Sequence, residues 1–300
     1  MATYKYGVPP FMTNIFTSPF AGTDDAISAL TAADFTINGN GGNDIVSTAS
    51  GNDTITTAAG NDTIKAGDGN NTVSAGAGAN NVITGTGNDT ITTGAGVDVI
   101  KAGDGNNTVN AGDGKNTVLT GSGNDTITTG AGIDKIQAGA GDDIIVSGGG
   151  NDTIDAGAGD DSVNAGMGND TITAGAGTDS LIGGGGHDTF LYRSLSDALL
   201  GHDTISDFST ANPAMAGEGD ALKLNGLVND FDGMFGKATL AKLVASGHLS
   251  FSGDSENTVL SFDSNGDAAG GHVGVLVNLT GVAFTTEGDA VNAFADNILV

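Results

Sequence analysis

The chain has no cysteine and no tryptophan, and only 9 of its 300 residues are basic. Without cysteine it can form neither disulfides nor thiolate metal sites, and it has no cysteine nucleophile. The 36 acidic residues bring the formal charge to −27, which opposes binding to the phosphate backbone of nucleic acids. No apolar run reaches the roughly 18 residues of a transmembrane helix, so we expect no membrane span.

Glycine and aspartate are unusually abundant. The chain contains 52 glycines, and 33 of its 36 acidic residues are aspartate. Aspartate favours turns and metal-binding loops, whereas glutamate favours helices. Disorder is the alternative for such a composition, but 38% of the residues are hydrophobic and they are regularly spaced. The composition therefore predicts many tight, acidic turns within a folded domain.

The spacing is that of a nine-residue repeat, which runs without a gap through 17 units from Gly39 to Leu191. One unit reads Thr-Gly-Thr-Gly-Asn-Asp-Thr-Ile-Thr and covers residues 84–92. Position four is glycine and position eight is apolar in all 17 units, while position six is Asp in 13 of them. The other four units have asparagine at position six: Asn71, Asn80, Asn107 and Asn116.

The unit itself suggests how the repeats fold. Six Gly- and Asp-rich residues predict a turn, and the next three predict a short strand whose middle side chain points inward. Two units then form one flattened coil, and successive coils stack with parallel strands about 4.8 Å apart. Odd-numbered units therefore line one face and even-numbered units the other, around a core built from position eight.

The repeats resemble the nonapeptide G-G-x-G-x-D-x-U-x of the RTX (repeats-in-toxin, or hemolysin-type) family. The resemblance implies an all-β fold, a calcium-bound parallel β-roll (a β-solenoid), over residues 39–191. Residues 187–194, 203–208 and 219–224 are similar to the region that closes the roll in serralysin-like secreted proteases. The ending Asp-Asn-Ile-Leu-Val at 296–300 resembles a type I export signal, which implies a secreted protein that meets the type I secretion machinery.

The flanks of the repeats are predicted to be separate segments. Residues 1–38 are expected to be an N-terminal cap or assembly segment. Residues 192–300 are expected to form a small, mainly antiparallel β domain with capping and secretion-signal roles. Within it we predict a short helix at Thr239–Ser246 and strands at His248–Ser252, Asn257–Asp263 and Val273–Leu279.

The chemistry of the repeats is predicted to be calcium binding. Stacked turns bring position-six carboxylates about 5 Å apart, where they repel each other unless a divalent cation lies between them. Ca²⁺ fits best because it accepts six to eight oxygen ligands, including the backbone carbonyls of Gly-rich turns. Seven pairs two units apart have Asp on both sides: Asp44/Asp62, Asp125/Asp143, Asp134/Asp152, Asp143/Asp161, Asp152/Asp170, Asp161/Asp179 and Asp170/Asp188.

Six of these seven pairs lie in the C-terminal half of the repeats, where we expect the strongest sites. In the N-terminal half the four asparagines interrupt the pairs. We expect either weaker calcium sites there, at Asp53, Asp89 and Asp98, or ladders of asparagine amides.

Catalytic motifs are missing from the sequence. The chain contains neither H-E-x-x-H nor G-x-S-x-G, and it has only 4 histidines. His187, at position five of the last repeat, is expected to be a surface or core residue. The segment Asp263–Asp267 resembles half a calcium loop, but a hairpin turn is the preferred interpretation.

These features favour a secreted, non-enzymatic protein that folds on calcium outside the cell. Because only 38 residues precede the repeats, we expect a structural component of a surface layer, matrix or fibre that self-associates, or an adhesin. Ice binding is the alternative, through Thr-x-Thr motifs at Thr54/Thr56, Thr72/Ser74, Thr90/Thr92, Thr108/Asn110 and Thr126/Thr128. A secreted enzyme with its active site in residues 192–300 is a third, less favoured hypothesis.

Overall fold

The computed structural model describes residues 2–6, 15–17, 21–29, 31–193, 202–209, 219–223, 249–253, 257–263, 273–280 and 298–299. The chain divides into two compact units, an N-terminal unit of residues 1–149 and a C-terminal unit of residues 150–300. The described residues form strands and turns, and none of them forms an α-helix. Accordingly, these ranges include no helix of the length and apolarity that crossing a membrane requires.

The N-terminal unit is a parallel β-solenoid with two sheets of eight strands, which alternate along the chain. The odd sheet contains β1 (Ala2–Tyr6), β3 (Asp25–Ala29), β5 (Ile45–Ser47), β7 (Thr63–Gly67), β9 (Asn81–Thr84), β11 (Val99–Gly103), β13 (Thr117–Thr120) and β15 (Lys135–Ala140). The even sheet contains β2 (Ile15–Thr17), β4 (Thr36–Asn38), β6 (Thr54–Thr56), β8 (Thr72–Gly76), β10 (Thr90–Thr93), β12 (Thr108–Asn110), β14 (Thr126–Thr128) and β16 (Ile144–Val146).

The C-terminal unit shows the same alternation of parallel strands and has an additional antiparallel hairpin layer. The parallel strands are β17 (Thr153–Ala158), β19 (Thr171–Ala176), β21 (Thr189–Leu191), β23 (Ala221–Lys223) and β27 (Ile298–Leu299) on the odd side, and β18 (Ser162–Asn164), β20 (Ser180–Ile182) and β22 (Asp203–Ile205) on the even side. Next to β22 lies β26 (Val273–Thr280), which pairs antiparallel with β25 (Asn257–Asp263), and β25 pairs antiparallel with β24 (Leu249–Gly253). The predicted helix at 239–246 and the predicted turn after Asp263 lie outside the described residues.

The register of the coils follows the nine-residue repeat. Residues 18 apart pair across neighbouring strands of one sheet, as Ile55 does with Val73 and Ile64 with Val82. The position-eight side chains are buried in both units, from Val46 to Phe190. The prediction of an all-β parallel roll with an inward column of aliphatic side chains is therefore confirmed.

Position one of the repeat is also buried, which the sequence analysis did not predict. Ala66, Ala75 and Ala102 are fully buried there, and threonine takes the same place in other units. The hydroxyl of Thr57 donates a hydrogen bond of 3.1 Å to the carbonyl oxygen of Ala75, one coil further along the chain. Position one therefore adds a small side chain or an inter-coil hydrogen bond to the core.

The two sheets begin on the N-terminal side of Gly39. In strands β3 and β4, Ile27 and Ile37 are buried as position-eight residues are, and these strands pair with β5 and β6. The nine-residue signal is weak in this stretch because Ala33 and Phe35 stand where a repeat has glycine and aspartate. The backbone nevertheless continues the solenoid.

Glycine at position four allows the coils to approach closely. Gly78 has a φ of +133°, a conformation that L side chains rarely adopt. A Cβ atom at this position would also collide with the carbonyl oxygen of Gly60 in the preceding coil. This packing stacks the turns directly above one another, and with them the residues at position six.

Candidate metal centre

Within each unit, the position-six residues of a sheet form a ladder along the turns. The backbone N–H of one position-six residue donates to Oδ1 of the position-six residue in the next coil. The N–H of Asp44 donates to Oδ1 of Asp62 at 2.8 Å, and that of Asp170 donates to Oδ1 of Asp188 at 2.9 Å. One oxygen of each carboxylate is thereby fixed by the backbone of its neighbour.

The second carboxylate oxygen is left without a donor. Asp44, Asp170 and Asp188 are each about 1% exposed, and among the described residues Oδ2 of each has no hydrogen-bond partner. A buried, unsatisfied carboxylate oxygen is costly unless a cation or a proton compensates it. The turns therefore contain oxygen atoms that are already positioned for a ligand.

The asparagine turns show what surrounds that second oxygen. Oδ1 of Asn71 accepts the N–H of Asp53, as an aspartate in the ladder does. Its Nδ2 donates to the carbonyl oxygens of Gly67 and Gly69, at 3.1 and 2.9 Å. In an aspartate turn, a carboxylate in the same conformation would direct Oδ2 toward the corresponding two carbonyl oxygens. No proton would lie between these three oxygens. This set of carboxylate and carbonyl oxygens fits Ca²⁺ and lacks the nitrogen or sulfur ligands that transition metals prefer.

Burial perturbs these carboxylates, as their pKa values show. Desolvation, together with repulsion from neighbouring carboxylates, raises the pKa of Asp44, Asp143, Asp170 and Asp188 to about 6. Burial also raises the pKa of Asp98, whose ladder neighbours are asparagines, and no carboxylate contributes there. Asp89 also has asparagine neighbours in its ladder, and the only carboxylate that contributes to its raised pKa is the exposed Asp68, which lies outside the ladder.

All thirteen aspartates predicted as calcium ligands are buried at position six. Five of the seven predicted pairs are adjacent in the ladder of one unit, with N–H to Oδ1 distances of 2.7–2.9 Å: Asp44/Asp62, Asp125/Asp143, Asp152/Asp170, Asp161/Asp179 and Asp170/Asp188. Asp134/Asp152 and Asp143/Asp161 join residues of different units and stay sequence predictions. The part of the chain that the structure describes has no group of three or more His, Cys, Asp or Glu side chains placed to hold one metal ion. A site between two turns would need only two carboxylates and backbone carbonyls.

Three further aspartates belong to the ladders, although the sequence analysis did not propose them as ligands. Asp25 donates its N–H to Oδ1 of Asp44 at 2.9 Å. Asp203 and Asp220 accept the N–H groups of Asp179 and Asp188, both at 3.0 Å. Each is followed by one residue and then an aliphatic side chain, so the tetrapeptide Asp-x-apolar-x could have identified them without a complete nonapeptide.

The last two aspartates differ from the others because protein donors satisfy both of their oxygens. Tyr192 donates its hydroxyl to Oδ2 of Asp203 at 2.7 Å, and the backbone N–H of Ser209 donates to Oδ2 of Asp220 at 2.7 Å. Nearby, Nδ1 of the partly buried His187 accepts the N–H of Gly219 at 3.0 Å. These contacts close the C-terminal end of the ladders with hydrogen bonds.

The comparisons with curated proteins and with solved structures carry no argument about this geometry. No curated protein matches the chain. Among solved structures, the AlgE6R3 subunit of the Azotobacter vinelandii mannuronan C5-epimerase matches at 28% identity, over 55% of this chain and 76% of that one. Its TM-score of 0.26 is too low to support an argument about fold or function.

The family comparison covers more than half of the chain. The model of the RTX calcium-binding nonapeptide repeat matches residues 23–55, 48–82, 56–91, 83–118, 92–127, 119–154 and 155–190. These matches begin at residue 23, in agreement with the strands that precede Gly39. The chain belongs to the RTX calcium-binding nonapeptide repeat family.

Proposed function

We propose that this protein is a secreted, non-enzymatic structural component that folds on calcium outside the cell and then associates with copies of itself. The calcium step follows from the ladders of buried carboxylates, which repel one another until cations lie between the turns. Cytosolic calcium is too scarce to fill such sites, whereas extracellular calcium modules bind in the range of about 10⁻⁴ to 10⁻³ M. The turns with stacked aspartates would therefore stay unfolded before export and fold after it.

One observation supports self-association: the outer surface of the even sheet carries no charged side chain along the described strands of the N-terminal unit. Its outward residues are mainly threonine, serine and asparagine, in register from Thr54 through Thr90 to Thr126. At the end of this surface, Ile144 and Val146 on β16 are 52% and 39% exposed. We call this surface, on strands β4 to β16, the neutral face.

The neutral face is unusual in a protein with a net charge of −27. Exposed acids lie in the turns, as at Asp68 and Asp104, and the odd sheet exposes Lys65 and Lys101. Two copies of such a chain repel each other in most orientations, but a contact through their neutral faces keeps the charges at the rim. The exposed aliphatic side chains Ile144 and Val146 also bury apolar area in that contact.

Sedimentation velocity in millimolar calcium tests self-association. We expect the wild type to form dimers or larger assemblies and the variant Thr90→Glu/Thr108→Glu to remain monomeric. The control Thr117→Glu adds a carboxylate to the odd sheet and should associate as the wild type does. A monomeric wild type at micromolar concentration would overturn the proposal, and so would assembly that all variants share.

A second candidate function, ice binding, uses the same face. The outward Thr-x-Thr pairs stack in register at about 4.8 Å between strands and about 7 Å along a strand. This regular array of hydroxyl and methyl groups is the observation that favours binding to the ordered water molecules at the surface of ice.

Thermal hysteresis distinguishes the two functions. Ice binding would be supported if the monomer shows thermal hysteresis that Thr90→Tyr abolishes. The odd-sheet variant Thr117→Tyr should keep it. A wild-type sample without thermal hysteresis at millimolar calcium would exclude it.

A further inference from the structure

The turns of the N-terminal unit alternate between acid and amide. From residue 48 to residue 137, Asp and Asn alternate at position six along each ladder. The even-sheet ladder reads Asp53, Asn71, Asp89, Asn107, Asp125, and the odd-sheet ladder reads Asp62, Asn80, Asp98, Asn116, Asp134. The ladder of the C-terminal unit, in contrast, has aspartate at every position six from Asp152 to Asp188.

Each asparagine closes its own turn with two hydrogen bonds. Nδ2 of Asn80 donates to the carbonyls of Gly76 and Gly78, at 3.0 and 3.2 Å, and Nδ2 of Asn107 donates to those of Gly103 and Gly105, at 3.1 and 2.8 Å. Asn71 and Asn116 do the same. The amide nitrogen thus takes the place where a cation would meet the same carbonyls, and it leaves no oxygen unsatisfied.

The alternation also separates the remaining carboxylates. Two aspartates of one ladder are two coils apart here, about 9.6 Å instead of about 4.8 Å, which halves their Coulomb repulsion at equal dielectric constant.

A further ladder that needs no cation joins the same coils. Threonine at position one precedes each acidic turn of this stretch, and its hydroxyl donates to the position-one carbonyl of the next coil. The donors are Thr48, Thr57, Thr84, Thr93, Thr120 and Thr129. The nine-residue units that receive the first four of these bonds are the four that contain asparagine at position six.

We propose that residues 48–137 form a core of the roll that folds without calcium, and that its four asparagine turns are closed to the ion. The proposal rests on the proposed function, since it presumes that the remaining turns need calcium. Calcium would then be required chiefly by the uninterrupted acidic ladders of the C-terminal unit. Folding would begin in residues 48–137, before calcium binds.

Hydrogen exchange with mass spectrometry on the full chain tests this proposal. In chelator we expect slow exchange of amides in residues 63–134 and fast exchange in residues 152–191. In millimolar calcium both stretches should be protected. The variant Asn71→Asp/Asn80→Asp/Asn107→Asp/Asn116→Asp should lose the protection of 63–134 in chelator, regain it in calcium and bind more calcium than the wild type.

The matched control adds the same four charges at exposed position five of nearby turns: Asn70→Asp, Asn88→Asp, Asn106→Asp and Asn124→Asp. These side chains use Oδ1 as an acceptor, which aspartate retains, so protection in chelator should persist. Fast exchange of 63–134 in wild-type protein without calcium would overturn the asparagine core and leave the calcium trigger intact. Protection of the whole roll in chelator would overturn both.

Discussion

The backbone N–H of Asp170 donates to Oδ1 of Asp188 at 2.9 Å, and both carboxylates are buried. The hydrogen bond fixes one oxygen of Asp188, and the other oxygen has no donor within the described residues. Such an arrangement is unfavourable for two ionised groups and favourable as soon as a cation or a proton neutralises them. Calcium should therefore increase the free energy of unfolding. In the absence of calcium, that free energy should increase as pH falls.

The first prediction concerns pH in the absence of calcium. Burial raises the pKa of Asp170 and Asp188 from 3.8 to about 6, so between these values the folded chain holds protons that the unfolded chain has released. The free energy of unfolding should consequently increase as pH falls through this window. We expect a higher melting temperature in chelator at about pH 5 than at about pH 7.5.

In millimolar calcium the trend should reverse, because protons compete with the ion for the same oxygens. Circular dichroism melts at both pH values, with and without chelator, measure the effect. The variant Asp170→Asn/Asp188→Asn should show a weaker pH dependence than the wild type. A melting temperature in chelator that decreases toward pH 5 would contradict the prediction.

The second prediction replaces a single carboxylate by an amide. In Asp170→Asn, the new Nδ2 should donate to the carbonyls of Gly166 and Gly168, as Asn71 does with its own glycines. We expect the variant to be more stable in chelator by about 1 kcal/mol, since a buried group gains a partner. In calcium it should bind fewer ions than the wild type, as isothermal titration would show.

Asp113→Asn is the matched control for that variant. Asp113 is exposed and accepts the N–H of Ala131 through Oδ1, an acceptor that asparagine keeps. Asp113→Asn therefore removes one negative charge, as Asp170→Asn does, but at a position outside the buried ladder. Equal effects of the two substitutions would mean that net charge, and not the buried ladder, sets the calcium dependence.

The repeat made the core and the ladder predictable from sequence, since a nine-residue period fixes which side chains share a face. Val73 and Asn71 needed no structure to be placed at positions eight and six. The ends of the ladders were less predictable because Asp25 and Asp203 lie 19 and 24 residues from their partners, instead of 18. A search for a constant period cannot detect residues that irregular turns bring into line.

The hydrogen bonds that replace the ion were only partly predictable. The sequence suggested amide ladders at the four asparagines, but it could not show that Nδ2 bonds to carbonyls of its own turn. Nor could it show that Thr57 at position one points inward, because threonine is equally compatible with an exposed strand or turn. These features depend on side-chain torsions, which the pattern of polar and apolar residues leaves open.

The third prediction tests the threonine ladder. Thr93 is buried and donates to the carbonyl of Ala111 at 2.8 Å, so Thr93→Val keeps the shape and removes the donor. We expect a loss of about 1 kcal/mol, of similar size in chelator and in calcium. The control Thr90→Val changes an exposed residue of the same strand and should be nearly neutral. A Thr93→Val protein as stable as the control in urea unfolding would contradict the proposed role of the hydroxyl.

The fourth prediction concerns the closure of the ladder in the C-terminal unit. Burial raises the pKa of Asp203 to about 7, and the hydroxyl of Tyr192 donates to its Oδ2 at 2.7 Å. Tyr192→Phe leaves this buried oxygen without that donor, which should cost about 1–3 kcal/mol. Hydrogen exchange should accelerate in residues 180–191 and 203–206, and the cost should shrink when Asp203→Asn is already present. Additive effects of the two substitutions would contradict a direct contact.

The last prediction concerns the glycines that let the turns stack. Gly78→Ala introduces a Cβ that collides with the carbonyl of Gly60, at a φ of +133°. We expect a loss of about 2 kcal/mol or more, because the backbone must shift or remain strained. Gly185→Ala is the matched control, since a Cβ there meets no atom within 4 Å and φ lies outside the left-handed region. Calcium should not rescue Gly78→Ala, because the collision is between coils and not between charges; recovery of the wild-type melting temperature in calcium would show instead that the turn adapts around the ion.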